Sequence, residues 1–158
     1  MNLYIQQQIF TWGDKFTVYD ENGNEKYYVE GEVFTFGKKL HIYDLAGNEL
    51  VYIEQQLLTF QPRYTIYING SAYADVIKEF TFFHQEYTVS GPDWHVHGDF
   101  FDHDYDIISA NDTCIASISK QWFTLGDAYE IAVKNNEDAV CALAVVLIID
   151  ACIDAQRN

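Results

Sequence analysis

The chain has 158 residues, 24 of them Asp or Glu against 9 Lys or Arg, for a formal net charge of −15. That length suits one domain, 1–158, and 49% apolar residues with 16% aromatics and only 2 Pro supply a real core, which excludes disorder and low complexity. A nucleic-acid partner is also excluded, because neutralising phosphates takes clustered Lys and Arg and these 9 are scattered.

The opening, Met1-Asn2-Leu3-Tyr4-Ile5-Gln6-Gln7-Gln8, has neither a basic region nor a long apolar run, so it does not read as a signal peptide and a cytoplasmic location is the default expectation. From there to about residue 134 everything reads as strand and turn. Alternating segments such as Phe16-Thr17-Val18-Tyr19, Leu40-His41-Ile42-Tyr43 and Tyr64-Thr65-Ile66-Tyr67-Ile68 are rich in aromatic and β-branched residues. The pairs Asn22-Gly23, Asn69-Gly70 and Asn111-Asp112, with Ala46-Gly47-Asn48, supply the positive-φ residues of tight hairpins. About twelve strands are predicted, near 3–9, 15–20, 26–34, 38–44, 49–55, 64–69, 73–82, 85–90, 94–101, 104–109, 113–119 and 127–134.

An internal echo runs through the first part of the chain. Phe10-Thr11-Trp12-Gly13-Asp14-Lys15-Phe16-Thr17-Val18-Tyr19-Asp20 recurs 24 residues later from Phe34 to Asp44, and more weakly from Phe123 to Ile131. The first two copies stay in register through Gly23-Asn24-Glu25 and Gly47-Asn48-Glu49, which predicts two hairpins built to one plan.

One helix is expected, over about 137–155. Its run from Ala139 to Ile149 is apolar on every side, flanked by Asp138 and Asp150, and eleven such residues are too few to span a bilayer, which takes about 20. A helix apolar all round must be enclosed by protein. Asn136 is the expected N-cap, Glu137 and Asp138 fill the first turn, and Arg157 follows the end. Cys114, Cys141 and Cys152 form an odd set without CxxC spacing, so reduced thiols are expected. The last two lie roughly 16 Å apart along the helix at about 1.5 Å per residue, too far to bridge. Consecutive antiparallel hairpins that close to remove their edges make a barrel, about 3–134, and the enclosed helix belongs inside it. The expected fold class is mainly β.

The segments Leu3-Tyr4-Ile5-Gln6-Gln7-Gln8-Ile9-Phe10, Gly37-Lys38-Lys39-Leu40, Val76 to Phe80, Trp94-His95-Val96-His97-Gly98-Asp99-Phe100 and Ala142 to Asp150 carry a resemblance. Along nearly its whole length the chain resembles the LURP-one-related family, as a single-domain member of bacterial type. That family is similar in fold to the tubby C-terminal domain and the phospholipid scramblases, so the resemblance implies a twelve-stranded barrel around a central hydrophobic helix. It implies little about chemistry. Tubby domains hold phosphoinositides on a basic cleft, but here no basic run exceeds two residues and the net charge repels an anionic leaflet.

The stretch from Trp94 to Asp104 invites chemistry. On a strand His95, His97 and Asp99 share one face while Trp94, Val96 and Phe100 share the other, and two imidazoles with a carboxylate can form a facial set for zinc or iron, with His103 or Asp104 returning from the next turn. A barrel strand showing polar residues to water at alternate positions explains the same pattern with nothing bound, and that reading is preferred. Pairing of Cys114 with His84 or His103 lacks a third group to orient the base. The acids Asp102, Asp104 and Asp106 lack EF-hand spacing. Gly-x-Ser-x-Gly, P-loop and Gly-x-Gly-x-x-Gly motifs are absent from the sequence. Tyr19, Tyr43 and Tyr67 recur at 24-residue spacing and are expected to stack outside the barrel.

The expected function is thus a non-enzymatic, tubby-like binding or regulatory module with a protein or membrane-lipid partner and no cofactor. The alternatives are a metal-dependent role for His95, His97 and Asp99, and carriage of a small hydrophobic molecule, which requires an empty barrel. Nothing in the sequence specifies the partner or the oligomeric state.

Overall fold

The computed structural model describes residues 1–6, 15–32, 36–80, 84–123 and 126–157. Twelve strands succeed one another: β1 Asn2–Gln6, β2 Lys15–Asp20, β3 Glu25–Gly31, β4 Lys39–Tyr43, β5 Glu49–Gln56, β6 Arg63–Ile68, β7 Ser71–Phe80, β8 Gln85–Val89, β9 Trp94–Asp99, β10 Asp104–Ser109, β11 Cys114–Phe123 and β12 Gly126–Val133. Each pairs antiparallel with its sequence neighbours, and β1 also pairs with β12, Leu3 opposite Ile131, which closes the ring. Closure leaves no edge strand open to further pairing.

Period-two patterning sets which side faces inward. Strand β3 buries Tyr27, Val29 and Gly31, β5 buries Val51 and Ile53, and their alternate residues stand toward solvent. The twelve predicted strands match the observed ones within a few residues. Strand β9 stops at Asp99, leaving Phe100 and Phe101 in the following turn, and β11 runs on to Phe123. The predicted strand ends at 7–9, 33–34 and 81–82, and the repeat segments 10–14, 34–35 and 124–125, lie outside the described residues.

The two-hairpin plan is visible in the turns. Asp20 Oδ1 accepts from the amides of Asn22 (2.9 Å) and Asn24 (3.0 Å), and Asp44 Oδ1 accepts from those of Ala46 (3.0 Å) and Asn48 (2.9 Å). Ser109 does the same for Asn111 (3.3 Å) and Thr113 (3.2 Å), with a hydroxyl in place of the carboxylate. At the β6–β7 hairpin Asn69 and Gly70 both take positive φ, 52° and 81°, as a two-residue turn of the primed type requires.

A ring of eight strands is about the widest that wall side chains alone can fill, so twelve need another occupant. Helix α1, Ala139–Arg157, is that occupant. Residues Ala142 to Ile149 are no more than 2% exposed, and eight consecutive residues pass more than twice around the helix, so every side is covered. Toward its end Asp150 meets Tyr129 of β12, the Ala151 carbonyl meets Lys38 beside β4, and Cys152 meets Tyr87 of β8. Those strands lie on different sides of the ring. The helix is therefore central, although Val145, Val146, Ile148 and Ile149 are β-branched and weak helix formers. Inside a closed ring no strand partner is available, and only a helix satisfies its own backbone.

Its start corrects one expectation. Asn136, Glu137 and Asp138 form a single 3₁₀ turn ahead of α1; Asn135 is the cap residue of that turn and makes no side-chain capping bond. Asn136 does not act as the N-cap because it has already entered that turn, and Arg157 ends the helix rather than following it.

Candidate binding surface

His95 and His97 stack side by side on β9, ring centroids 6.3 Å apart, while Trp94, Val96 and Phe100 are buried as the alternation predicts. The third member does not join them. Gly98, at φ +139°, breaks the pleat between His97 and Asp99. Asp99 instead accepts from the Asp102 amide (3.2 Å), and His97 Nδ1 turns to Glu86 of β8 (3.5 Å), which His84 also approaches (3.6 Å). Among the described residues no group of three or more His, Cys, Asp or Glu is arranged to hold a metal ion.

The other sequence candidates are dispersed too. Cys114 opens β11 at one end of the barrel, whereas His84 and His103 lie in connections at the other. Asp102 lies 4.0 Å from Lys120 and Asp106 accepts from Ser117 (2.7 Å), so these acids do not converge. His103, at φ +49°, is buried, and its Nε2 lies 3.1 Å from Asp150 Oδ1. Its ring stacks on Tyr129 at 4.2 Å, and Tyr129 donates its hydroxyl to the same carboxylate. Burial, then the charge of Asp150, pushes the Tyr129 phenol well above its ordinary pKa, so it stays a donor. This enclosed triad of His103, Asp150 and Tyr129 pins the helix end; sequence spacing could not reveal it, since its members come from three separate elements.

An aromatic row does run outside, and it takes in Tyr43 and Tyr67 of the expected set, joined through His41 and Tyr52. It goes Tyr43, His41, Tyr52, Tyr67, with centroid separations of 6.0, 5.0 and 5.6 Å. His41 sits between Glu32 (3.1 Å from Nε2) and Glu49, which contacts Nδ1, at a cavity of about 370 Å³. Burial alone lowers the imidazole pKa, but the hydrogen bonds to Glu49 and Glu32 outweigh it and raise it.

The most distinctive surface is one end of the barrel. Connections after odd-numbered strands lie at this end, together with the helix C-terminus. Phe36 precedes β4, Leu57, Leu58 and Phe60 lie between β5 and β6, Phe80 ends β7, and Phe101 follows β9. All six are exposed, among eight exposed large hydrophobic residues in the described chain. The remaining two, Leu45 and Tyr73, lie toward the other end, whose turns hold Glu21, Asp44, Asp93 and Asp112. Sequence reasoning missed this apolar end because apolar residues read first as core, and only ring topology gathers these connections.

A closed twelve-stranded barrel filled by its own C-terminal helix, with polar turns at one end and apolar tips at the other, defines a helix-filled β-barrel domain. The sequence pattern of LURP-one-related proteins matches residues 1–150, and the chain belongs to that family. It is 32% identical over 150 residues to the Bacillus subtilis (strain 168) "Uncharacterized protein YxjI", covering 95% of this chain and 92% of that one. Its fold is similar to the X-ray structure of the Arabidopsis thaliana protein AT5G01750, with a TM-score of 0.67, 18% identity, and coverage of 95% of this chain and 90% of the other. No helix among the described residues is long and apolar enough to cross a membrane.

Proposed function

We propose that this domain is a non-enzymatic, tubby-like binding module whose working surface is the apolar end of the barrel. The gathering of Phe36, Leu57, Leu58, Phe60, Phe80 and Phe101 at that end carries the reading, because exposed apolar clusters mark sites of association. The filled interior supports surface binding over carriage of a small hydrophobic molecule, since helix side chains occupy the space a ligand would need. The engagement of Asp99 with the Asp102 amide and of His97 with Glu86 supports it over a metal-dependent role.

Native fractionation of an extract containing the protein tests this. Wild type is expected in a membrane or high-mass fraction, and the double variant Leu58→Asp with Phe60→Asp is expected as the free monomer. Migration of both as free monomer would overturn it.

A further inference from the structure

We propose that the cavity around His41 is a binding site for a guanidinium group, which competes there with the proton on the imidazole. The site lies on the outer wall of the barrel and is independent of the apolar end.

The internal echo builds this part of the wall twice. Lys15, Thr17, Tyr28 and Tyr43 line a cavity of about 350 Å³ over β2, β3 and β4. Their counterparts 24 residues on, Lys39, His41, Tyr52 and Tyr67, line the cavity of about 370 Å³ over β4, β5 and β6. Both volumes fall in the range of small-molecule sites, about 300–1,000 Å³. Of these four pairs only Thr17 and His41 differ in chemistry. The acids differ as well. Glu30, which lines the first cavity, lies 3.8 Å from Lys15, whereas the second has Glu32 and Glu49, one at each nitrogen of the imidazole.

That lining chemistry names the ligand. Glu32 Oε2 lies 3.1 Å from Nε2 of His41 and Glu49 Oε1 contacts Nδ1, so the two acids hold a flat cation between them whenever the ring is protonated. A neutral imidazole carries a single N–H, so one of the two acids then loses its donor at the cavity. A guanidinium suits the group left behind. It is planar and always charged, offers paired N–H donors to a carboxylate, and stacks on aromatic rings such as those of Tyr52 and Tyr67.

The surrounding charges leave this pair of acids to His41. Facing the imidazole are Glu30 of β3 and Glu32 just beyond it, Lys39 and Tyr43 of β4, Glu49, Tyr52 and Glu54 of β5, and Tyr67 of β6. Lys39 is the other base among the described lining residues, and it stands opposite Glu54 in the β4–β5 register. Glu54 also accepts from the Tyr52 hydroxyl (2.9 Å). Among the described residues Glu32 and Glu49 pair with His41 alone. Their field reaches along the row: burial, then Glu30, Glu49 and Glu32, push the Tyr43 phenol above its ordinary pKa.

Nuclear magnetic resonance titration of the full chain with N-acetyl-arginine amide, and with N-acetyl-lysine amide as a probe of equal charge, tests the proposal. The arginine probe should shift His41 and the amides of β5 saturably, leave Thr17 and Tyr28 unmoved, and bind at least about fivefold tighter than the lysine probe. Its affinity should rise at least about threefold from pH 6 to pH 8.5 in wild type, because probe and proton compete for the same carboxylates, and should be independent of pH in His41→Gln. Glu32→Gln with Glu49→Gln should weaken binding about tenfold. Asp93→Asn with Asp112→Asn removes the same charge from turns on the other side of the ring and should bind as wild type does. Absence of saturable shifts, equal binding of the two probes, an affinity that does not rise with pH, or an equal loss in the distant variant would overturn the proposal. Agmatine and a glycine pentapeptide with one central arginine separate the two sources of a guanidinium. Tighter binding of the first assigns the site to a small molecule and of the second to a partner's arginine, and either supports it.

Discussion

Tyr129, on the last strand of the wall, donates its hydroxyl to Asp150, on the helix that the wall encloses. Removing that donor with Tyr129→Phe leaves a mostly buried carboxylate one partner short, and a hydrogen bond to a charged group contributes about 1.5–3 kcal/mol. The variant should melt several degrees below wild type. An unchanged melting temperature would show that the bond does not hold the helix end.

Placement of the helix makes a sharper prediction. Ala144 is fully buried at mid-helix, so Ala144→Asp sets a charge in the lumen without a counter-ion and should abolish soluble folding. Thiol labelling checks the same point without mutation. Burial pushes the Cys141 thiol up to about 12, and Cys152 is raised by burial as well, so the half-buried Cys114 should react in the native protein and the other two only after unfolding. Prompt labelling of Cys141 in the folded state would contradict a filled lumen.

His41 predicts a pH dependence. Its folded pKa is raised above the ordinary 6.5 by Glu49 and Glu32, so the stabilisation is fully present below about pH 6.5 and is lost as pH rises through the folded value. The difference in melting temperature between wild type and His41→Gln should therefore shrink from pH 6 to pH 9. A constant difference would show that the imidazole carries no linked proton.

At Leu58, stability and binding should move in opposite directions. Leu58 is at φ 60°, and asparagine tolerates the left-handed region that costs leucine about 1–2 kcal/mol. Leu58→Asn should thus raise the melting temperature by a few degrees while reducing the share of the protein in the membrane or high-mass fraction. A variant that is both less stable and equally well bound would contradict the role given to this tip.

Gly98 tests the break in β9. A Cβ there would lie 2.5 Å from the Asp104 carbonyl oxygen and 2.6 Å from the Tyr105 Cα, at a φ that L side chains rarely adopt. Gly98→Ala should cost about 1–3 kcal/mol in backbone strain, with the clash in addition. Thermal unfolding measures the loss, and a wild-type transition would mean that the strand can straighten.

Much of the architecture was legible because barrel strands carry two local signals at once, period-two burial and positive-φ turns. Val51 and Ile53 alternate with outward neighbours, and Asn69-Gly70 marks its hairpin in two letters. The surface was harder to read. Leu58 and Phe60 look in sequence like any core residues, and it is their place in the connection between β5 and β6, beyond the strands, that exposes them. The His95, His97 and Asp99 face was visible as alternation, but the turn of Asp99 toward Asp102 depends on the backbone angle at Gly98. His41 escaped notice because its partners Glu32 and Glu49 approach from neighbouring parts of the sheet.

Closure of β1 onto β12 also governs the order in which the molecule can be made. Val133 donates its amide to the Met1 carbonyl at 2.9 Å, so the first strand synthesised waits for the last, and the helix that fills the ring is translated later still. Until then the inner faces of all twelve strands have nothing to enclose, and before β12 is made the earliest strand has only one neighbour. Completion is consequently a late and concerted event, dominated by contacts between distant parts of the chain, and the growing polypeptide is most open to aggregation until the closing strand and the helix have emerged.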